Sequence, residues 1–176
     1  MPKKGPTIIT VTRAPGHRMR GILRIGSRAF PVALGRAGIT ANKREGDGAT
    51  PRGSFRPLRL WWRADRISRP LTLLPLRSIT WTDAWCEDPA NRRYNKPIVL
   101  RSNSLGDRLW REDHLYDLII EIDHNTRPRI AGRGSAVFLH LSRNGLLPTA
   151  GCIAMPVDEL KRLVSHLDTR SIIRIF

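Results

Sequence analysis

The sequence has little cysteine and little acid, and it lacks long hydrophobic runs. Only Cys86 and Cys152 occur in 176 residues. Two cysteines exclude a multiply stapled scaffold and a four-cysteine zinc site, and they do not form a CxxC pair. In an oxidising compartment they could pair, but two separate thiols, one reactive and one packed, is the simpler reading. The longest apolar runs, such as LTLLPL, are far too short to span a bilayer, so no membrane span is expected. Repeats and low-complexity linkers are also missing. At 40% hydrophobic residues and a mean hydropathy of −0.32, the chain reads as one domain over residues 1–176, with 1–6 a short flexible basic tail.

The shortage of acid leaves a net charge of +16 and a pI near 11.5. Such a field attracts polyanions. The basic residues are nevertheless scattered, and no RNP-type aromatic motif, zinc-finger spacing or basic-leucine pattern accompanies them. No specific nucleic acid partner is therefore expected. A basic nucleic-acid-binding module without catalysis stands as the alternative class, and a carboxylate-rich cell-wall polymer suits the charge equally well. The N-terminal MPKKGPTIITVTRAPG has a positive start, but an apolar stretch of only about five residues follows, with no small-residue cleavage site. It reads as a first strand rather than a clear signal peptide, so cytoplasmic residence is not excluded.

The elements that are present are mostly β. TIITVTR, GILRIG and AFPVALG read as a meander with turns at APGH and GS. GITANKREGDGATPRGSF cannot pack a core and reads as a flexible or shaped loop, in which Lys43 is most simply a solvated charge, with a grip on substrate carboxylates as the weaker alternative. The region around Trp61, Trp62, Trp81 and Trp85 has no clear period, and the adjacent pair Trp61–Trp62 suggests one core ring and one surface ring. LYDLIIEID and AVFLHL read as strands. PVDELKRLVSHLD is the best helix, with Val157, Leu160, Leu163, Val164 and Leu167 on one apolar face and acids in its first turn. SIIRIF closes the chain as a strand.

Chemistry concentrates in FLHLSRNGLLPTAGCIAMP, residues 138–156. Cys152 follows a small-residue turn and precedes a helix N-terminus, a setting that favours thiolate. Thr149, Ala150 and Gly151 leave room for a substrate carbonyl, and the Gly151 and Cys152 amides are candidates for an oxyanion site. His140, returned by a hairpin-like loop, is the candidate base. On residue types alone, both are as readily packed core residues.

FLH…PTAGCIAM resembles the signature of the L,D-transpeptidase (YkuD-like) catalytic domain. KREGDGATPRGSF resembles that family's K-x-G-D-x-x-T-P-x-G-x-F segment, and DAWCEDP…YN and EIDHN…GRGSAVFLH resemble a compact Gram-negative branch. The likeness runs from about Ala33 to Asp158. It implies a mostly β, sandwich-like or β-rich catalytic domain with one or a few short helices. It also implies Cys152 as nucleophile, His140 as base, Gly151 and Cys152 as oxyanion donors, and no metal or cofactor. The implied reaction is attack on a diaminopimelate or L-Ala carbonyl of a peptidoglycan stem, giving a thioester that an amine of a neighbouring stem resolves. Water as acceptor would make the same residues an L,D-carboxypeptidase or endopeptidase. Peptidoglycan stem peptides are the expected partners, carbapenem-type compounds the expected inhibitors, and the periplasm or cell envelope the expected location. His124, Asn125, Arg133, Arg143, Thr149 and Ala150 are candidates for binding substrate. The chain departs from the commoner pattern at Ala150, usually histidine, at Ala154, often arginine, and in its short His-to-Cys spacing.

Overall fold

A computed structural model describes residues 5–101 and 106–176, so the first four residues of the expected basic tail lie outside it. β1 (Ile8–Arg13), β2 (Arg20–Ile25) and β3 (Arg28–Ala33) form the expected antiparallel meander. Their period-2 pattern sends Ile9, Val11, Leu23, Phe30 and Val32 inward. Ile25 pairs with Arg28, leaving a two-residue turn in which Gly26 takes φ 55, a conformation that suits glycine.

These strands belong to one curled, ten-stranded mixed sheet. Beyond β1 lie β15 (Ile172–Ile175) and β6 (Gly53–Phe55). Beyond β3 follow β14 (Ile153–Met155), β13 (Phe138–Leu141), β12 (Leu118–Ile122), β7 (Pro57–Trp62) and β8 (Leu76–Ser78). The sheet wraps an aliphatic core closed by α1 (Val157–Val164). Among the described residues the architecture is mostly β with one short helix, as expected. The helix is shorter than its sequence pattern suggests. Leu160, Leu163 and Val164 are buried on it, and Leu167 is buried just past its end. Val157 departs from the expected apolar face: it starts the helix at the rim of the core and stays 38% exposed.

β12 is buried on both faces, because a smaller sheet of β9 (Asp83–Trp85), β10 (Pro97–Val99) and β11 (Asp107–Arg108) lies on the same side as a second cluster of core residues. Trp61, Trp85, Tyr116, Ile119, Phe138 and Cys152 meet in that cluster. Glu121, also on this side, accepts the Trp61 indole N–H at 2.8 Å and pairs with Arg59 at 3.0 Å, so its buried charge is satisfied. The tryptophan-rich region thus splits by strand parity: Trp61 is fully buried in this cluster, and half-buried Trp62 packs against the aliphatic core. Trp81 is exposed. The glycine-rich loop is shaped, with β4 (Ile39–Thr40) and β5 (Thr50–Pro51) pairing in parallel and Thr50 completely buried.

Candidate active site

β13 and β14 run parallel, with Leu139 opposite Ile153, His140 opposite Ala154 and Leu141 opposite Met155. The segment between them is therefore a crossover rather than the expected hairpin. It carries the chain back to the start of β13 and delivers Cys152 beside Phe138, whose N–H donates to Sγ at 3.4 Å. Alternation directs Leu139, Leu141, Ile153 and Met155 into the aliphatic core. Phe138, His140 and Cys152 are left on the opposite face.

The cysteine turn is tied down on both sides. Thr149 donates its N–H to Leu34 O and accepts from Arg36 N, each at 3.0 Å. Its hydroxyl donates to Cys152 O at 2.6 Å and accepts the Gly151 N–H at 3.1 Å. Only glycine fits at 151, where φ is 145 and a Cβ would come within 2.8 Å of Ala49 O. The Gly151 amide, a candidate oxyanion donor, is thus engaged by Thr149 in this conformation. The thiol donates to Ala136 O at 3.1 Å. Ala136 sits at φ 50, pinned by its N–H to Asn95 Oδ1 at 3.2 Å, an oxygen that also accepts from Trp85. A non-glycine residue at positive φ beside a reactive group is the kind of local strain that surrounding structure must hold.

Burial sets the resting charge states. Cys152 is 8% exposed, and loss of solvent pushes its thiol up to about 12. Asp107 and Glu87 add to that rise, while the Phe138 N–H and Lys43 oppose it. The thiolate expected from the helix N-terminus is therefore not the resting form. Four residues, β14 and then Pro156, separate Cys152 from α1, roughly 13 Å of extended chain and beyond the reach of a helix end. His140, 5% exposed, is pushed down to about 4, again chiefly by burial. Its Nδ1 lies 2.8 Å from Leu141 O. A carbonyl only accepts, so the neutral ring carries its proton on Nδ1 and keeps the Nε2 lone pair free. The Tyr116 ring meets the imidazole edge-on at 5.3 Å, and its hydroxyl donates to Asp107 at 2.8 Å.

His140 and Cys152 both line a cavity of about 470 Å³. Arg36, Lys43, Arg111 and Arg143 supply positive charge around it, and Glu45, Glu87 and Asp107 supply negative charge. Glu87 reaches solvent, yet partial burial and then the neighbouring carboxylates of Asp107 and Glu45 push it up to about 7. Of the candidate substrate-binding residues, Arg143, Thr149 and Ala150 line this cavity. His124, Asn125 and Arg133 do not line it. His124 Nε2 contacts Arg133 O at 3.0 Å, Asn125 caps Ile130 and Gly134, and Arg133 donates to Asn42. Cys86 is buried and, like Cys152, free. Lys43, expected as most simply solvated, is 8% exposed and lines the cavity, and sequence reasoning missed Tyr116, Glu87 and Asp107 there. The loop motif was a signal for Lys43. The others carry none. Among the described residues no His, Cys, Asp and Glu cluster suits a metal, and no helix is long and apolar enough to cross a membrane.

A family model described as the L,D-transpeptidase catalytic domain, YkuD, matches residues 6–175. Among solved structures, the crystal structure of Mycobacterium tuberculosis L,D-transpeptidase 1 is similar at 13% identity, with a TM-score of 0.40. That likeness covers 96% of this chain and 62% of the other, so the chain spans less than two thirds of that relative's length. No curated protein matches the sequence.

Proposed function

The chain belongs to the L,D-transpeptidase catalytic-domain family, and from that membership we propose that it transfers acyl groups between peptidoglycan stem peptides through Cys152. The observation that carries this reading is the sharing of one cavity wall by Cys152 and His140, on one face of adjoining parallel strands, with the imidazole tautomer set by Leu141 O. Both groups rest neutral, which suits a pair that exchanges a proton only when substrate excludes water.

In the proposed sequence, a stem carbonyl enters beside Gly151 and His140 Nε2 takes the thiol proton. Sγ then bonds to the carbonyl carbon, whose oxygen takes up the electron pair. Collapse of this adduct breaks the C–N bond, and the imidazolium returns its proton to the departing amine. A second stem's amine attacks the thioester and passes its proton through His140 back to sulfur. The steps balance without a redox partner. A cavity bearing both signs of charge suits a stem that carries carboxylates and, on diaminopimelate, an ammonium. Residues 6–175 would form the whole catalytic domain, working where peptidoglycan lies, outside the cytoplasmic membrane.

The test is mass spectrometry of disaccharide-tetrapeptides after incubation with the protein. Cross-linked dimers that disappear with Cys152→Ala and with His140→Ala, a loss of about 1,000-fold or more, are the expected result. Fragmentation names the bond, whether between two diaminopimelates or from L-Ala to diaminopimelate. Trimmed monomers alone would mean that water is the acceptor. No product from a fully reduced wild-type protein would remove the reading.

A further inference from the structure

Lys43 is the least expected side chain in the cavity. It stands in a polar, glycine-rich loop, yet it is 8% exposed. Its stem crosses Gly134, where a Cβ would come within 2.9 Å of Lys43 Cγ and 3.1 Å of Cε. Its Nζ ends 3.5 Å from the position a Cβ on Gly151 would occupy. Two glycines from distant parts of the chain therefore leave the space that brings an ammonium to the cysteine turn.

The charge is held there. Nζ donates to Asp47 Oδ1 at 2.5 Å and to Arg44 O at 2.9 Å. Asp47 in turn accepts the N–H groups of Arg44 at 2.7 Å and Ala49 at 2.8 Å. These bonds, with the ammonium, keep its carboxyl below the usual range against the opposing effect of partial burial. An ammonium has three donors. Two are used, and among the described residues the third has no acceptor. The same ammonium lines the cavity that holds Cys152 and His140.

Of the two candidate backbone donors, the Gly151 amide already donates to Thr149 in this conformation. We propose that Lys43 is a catalytic residue of the acyl transfer, its free N–H donating to the oxyanion formed when Sγ bonds to the carbonyl carbon. This rests on the acyl-transfer reading above. A cationic donor acts more strongly than a neutral amide on a developing oxyanion. The same charge also favours thiolate. Sγ is faced by His140 from β13, by Asp107 from β11, by Tyr116 ahead of β12, by Glu87 after β9 and by Lys43 from the loop.

The experiment compares wild type, Lys43→Met and Asp47→Asn, each first shown to melt cooperatively. Acylation of Cys152 by a carbapenem and by a disaccharide-tetrapeptide is followed by intact mass, and alkylation by iodoacetamide is followed against pH. Lys43→Met is expected to slow acylation about 100-fold. Its alkylation midpoint should rise, because losing the ammonium lowers the thiolate fraction at a given pH. Asp47→Asn keeps the ammonium and removes its counter-charge, so its midpoint should stay or fall. Acylation of Lys43→Met within about threefold of wild type would overturn the proposal. Equal slowing in both variants, with midpoints moving the same way, would also overturn it, because the pair would then only order the loop. A wild type acylated by neither probe would remove the acyl-transfer reading and this inference together, a result distinct from either.

Discussion

Along β12, β13 and β14 alternate side chains leave on opposite faces, and the two faces carry different chemistry. One presents Leu118, Ile120, Leu139, Leu141, Ile153 and Met155 to the helix-capped core, all aliphatic. The other presents Ile119, Glu121, Phe138, His140 and Cys152 to the tryptophans, Tyr116 and the cavity. Aliphatic burial is non-directional, so the first face needs only volume and pattern. Each polar group on the second face needs a named partner: Trp61 for Glu121, Leu141 O for His140, Ala136 O for Cys152. The same short strands thus supply stability from one side and position reactive groups on the other.

The sharpest way to break this comparison is a large-to-small change on the aliphatic side. Ile120→Ala, at a completely buried site, should cost about 2–5 kcal/mol in urea unfolding. Acylation per folded molecule should hardly change. A selective loss of acylation would show that the faces are not independent.

Acid should act through the other side. The folded protein holds His140 neutral down to about pH 4, whereas an unfolded histidine takes its proton near 6.5. Between those values the unfolded state binds more protons, so this contribution is complete above pH 6.5 and is lost as pH falls towards 4. The loss should be of order 3 kcal/mol. Urea melts at pH 7 and pH 4.5 on wild type and His140→Gln should show it, as a smaller pH effect in the variant.

The smallest effect is expected at the cavity mouth. Glu87 keeps its proton to about pH 7, so the folded state binds more protons than the unfolded one above the ordinary carboxylate value of 4.5. Stability from this group therefore falls as pH rises from 4.5 through 7. Glu87→Gln should flatten that decline slightly in melts at pH 5 and pH 8, the exposed position limiting its size. An unchanged slope would mean that neither burial nor the carboxylates of Asp107 and Glu45 raise it.

Much of the aliphatic side was legible without coordinates. The β1–β3 meander, the β13 strand and the helix follow from period and turn residues, which act over a few positions. Cys152 and His140 stood out because a small-residue turn and a strand histidine carry a local pattern. Lys43 was misread because its burial depends on Gly134 and Gly151, about a hundred positions away. His124, Asn125 and Arg133 were attractive by type, but they do not line the cavity: His124 and Asn125 bond within residues 124–134, and Arg133 reaches Asn42 in the glycine-rich loop.

By itself the sequence determined which residues alternate, where the turns fall and which thiol sits in a turn small enough for a substrate. Only the tertiary structure decided that β13 and β14 run parallel, that burial leaves the thiol and the imidazole uncharged, and that a loop lysine ends near Gly151 in the cysteine turn. The reason is range. Local pattern follows from backbone geometry over a few residues, whereas burial and charge follow from whatever the rest of the chain brings within a few ångströms.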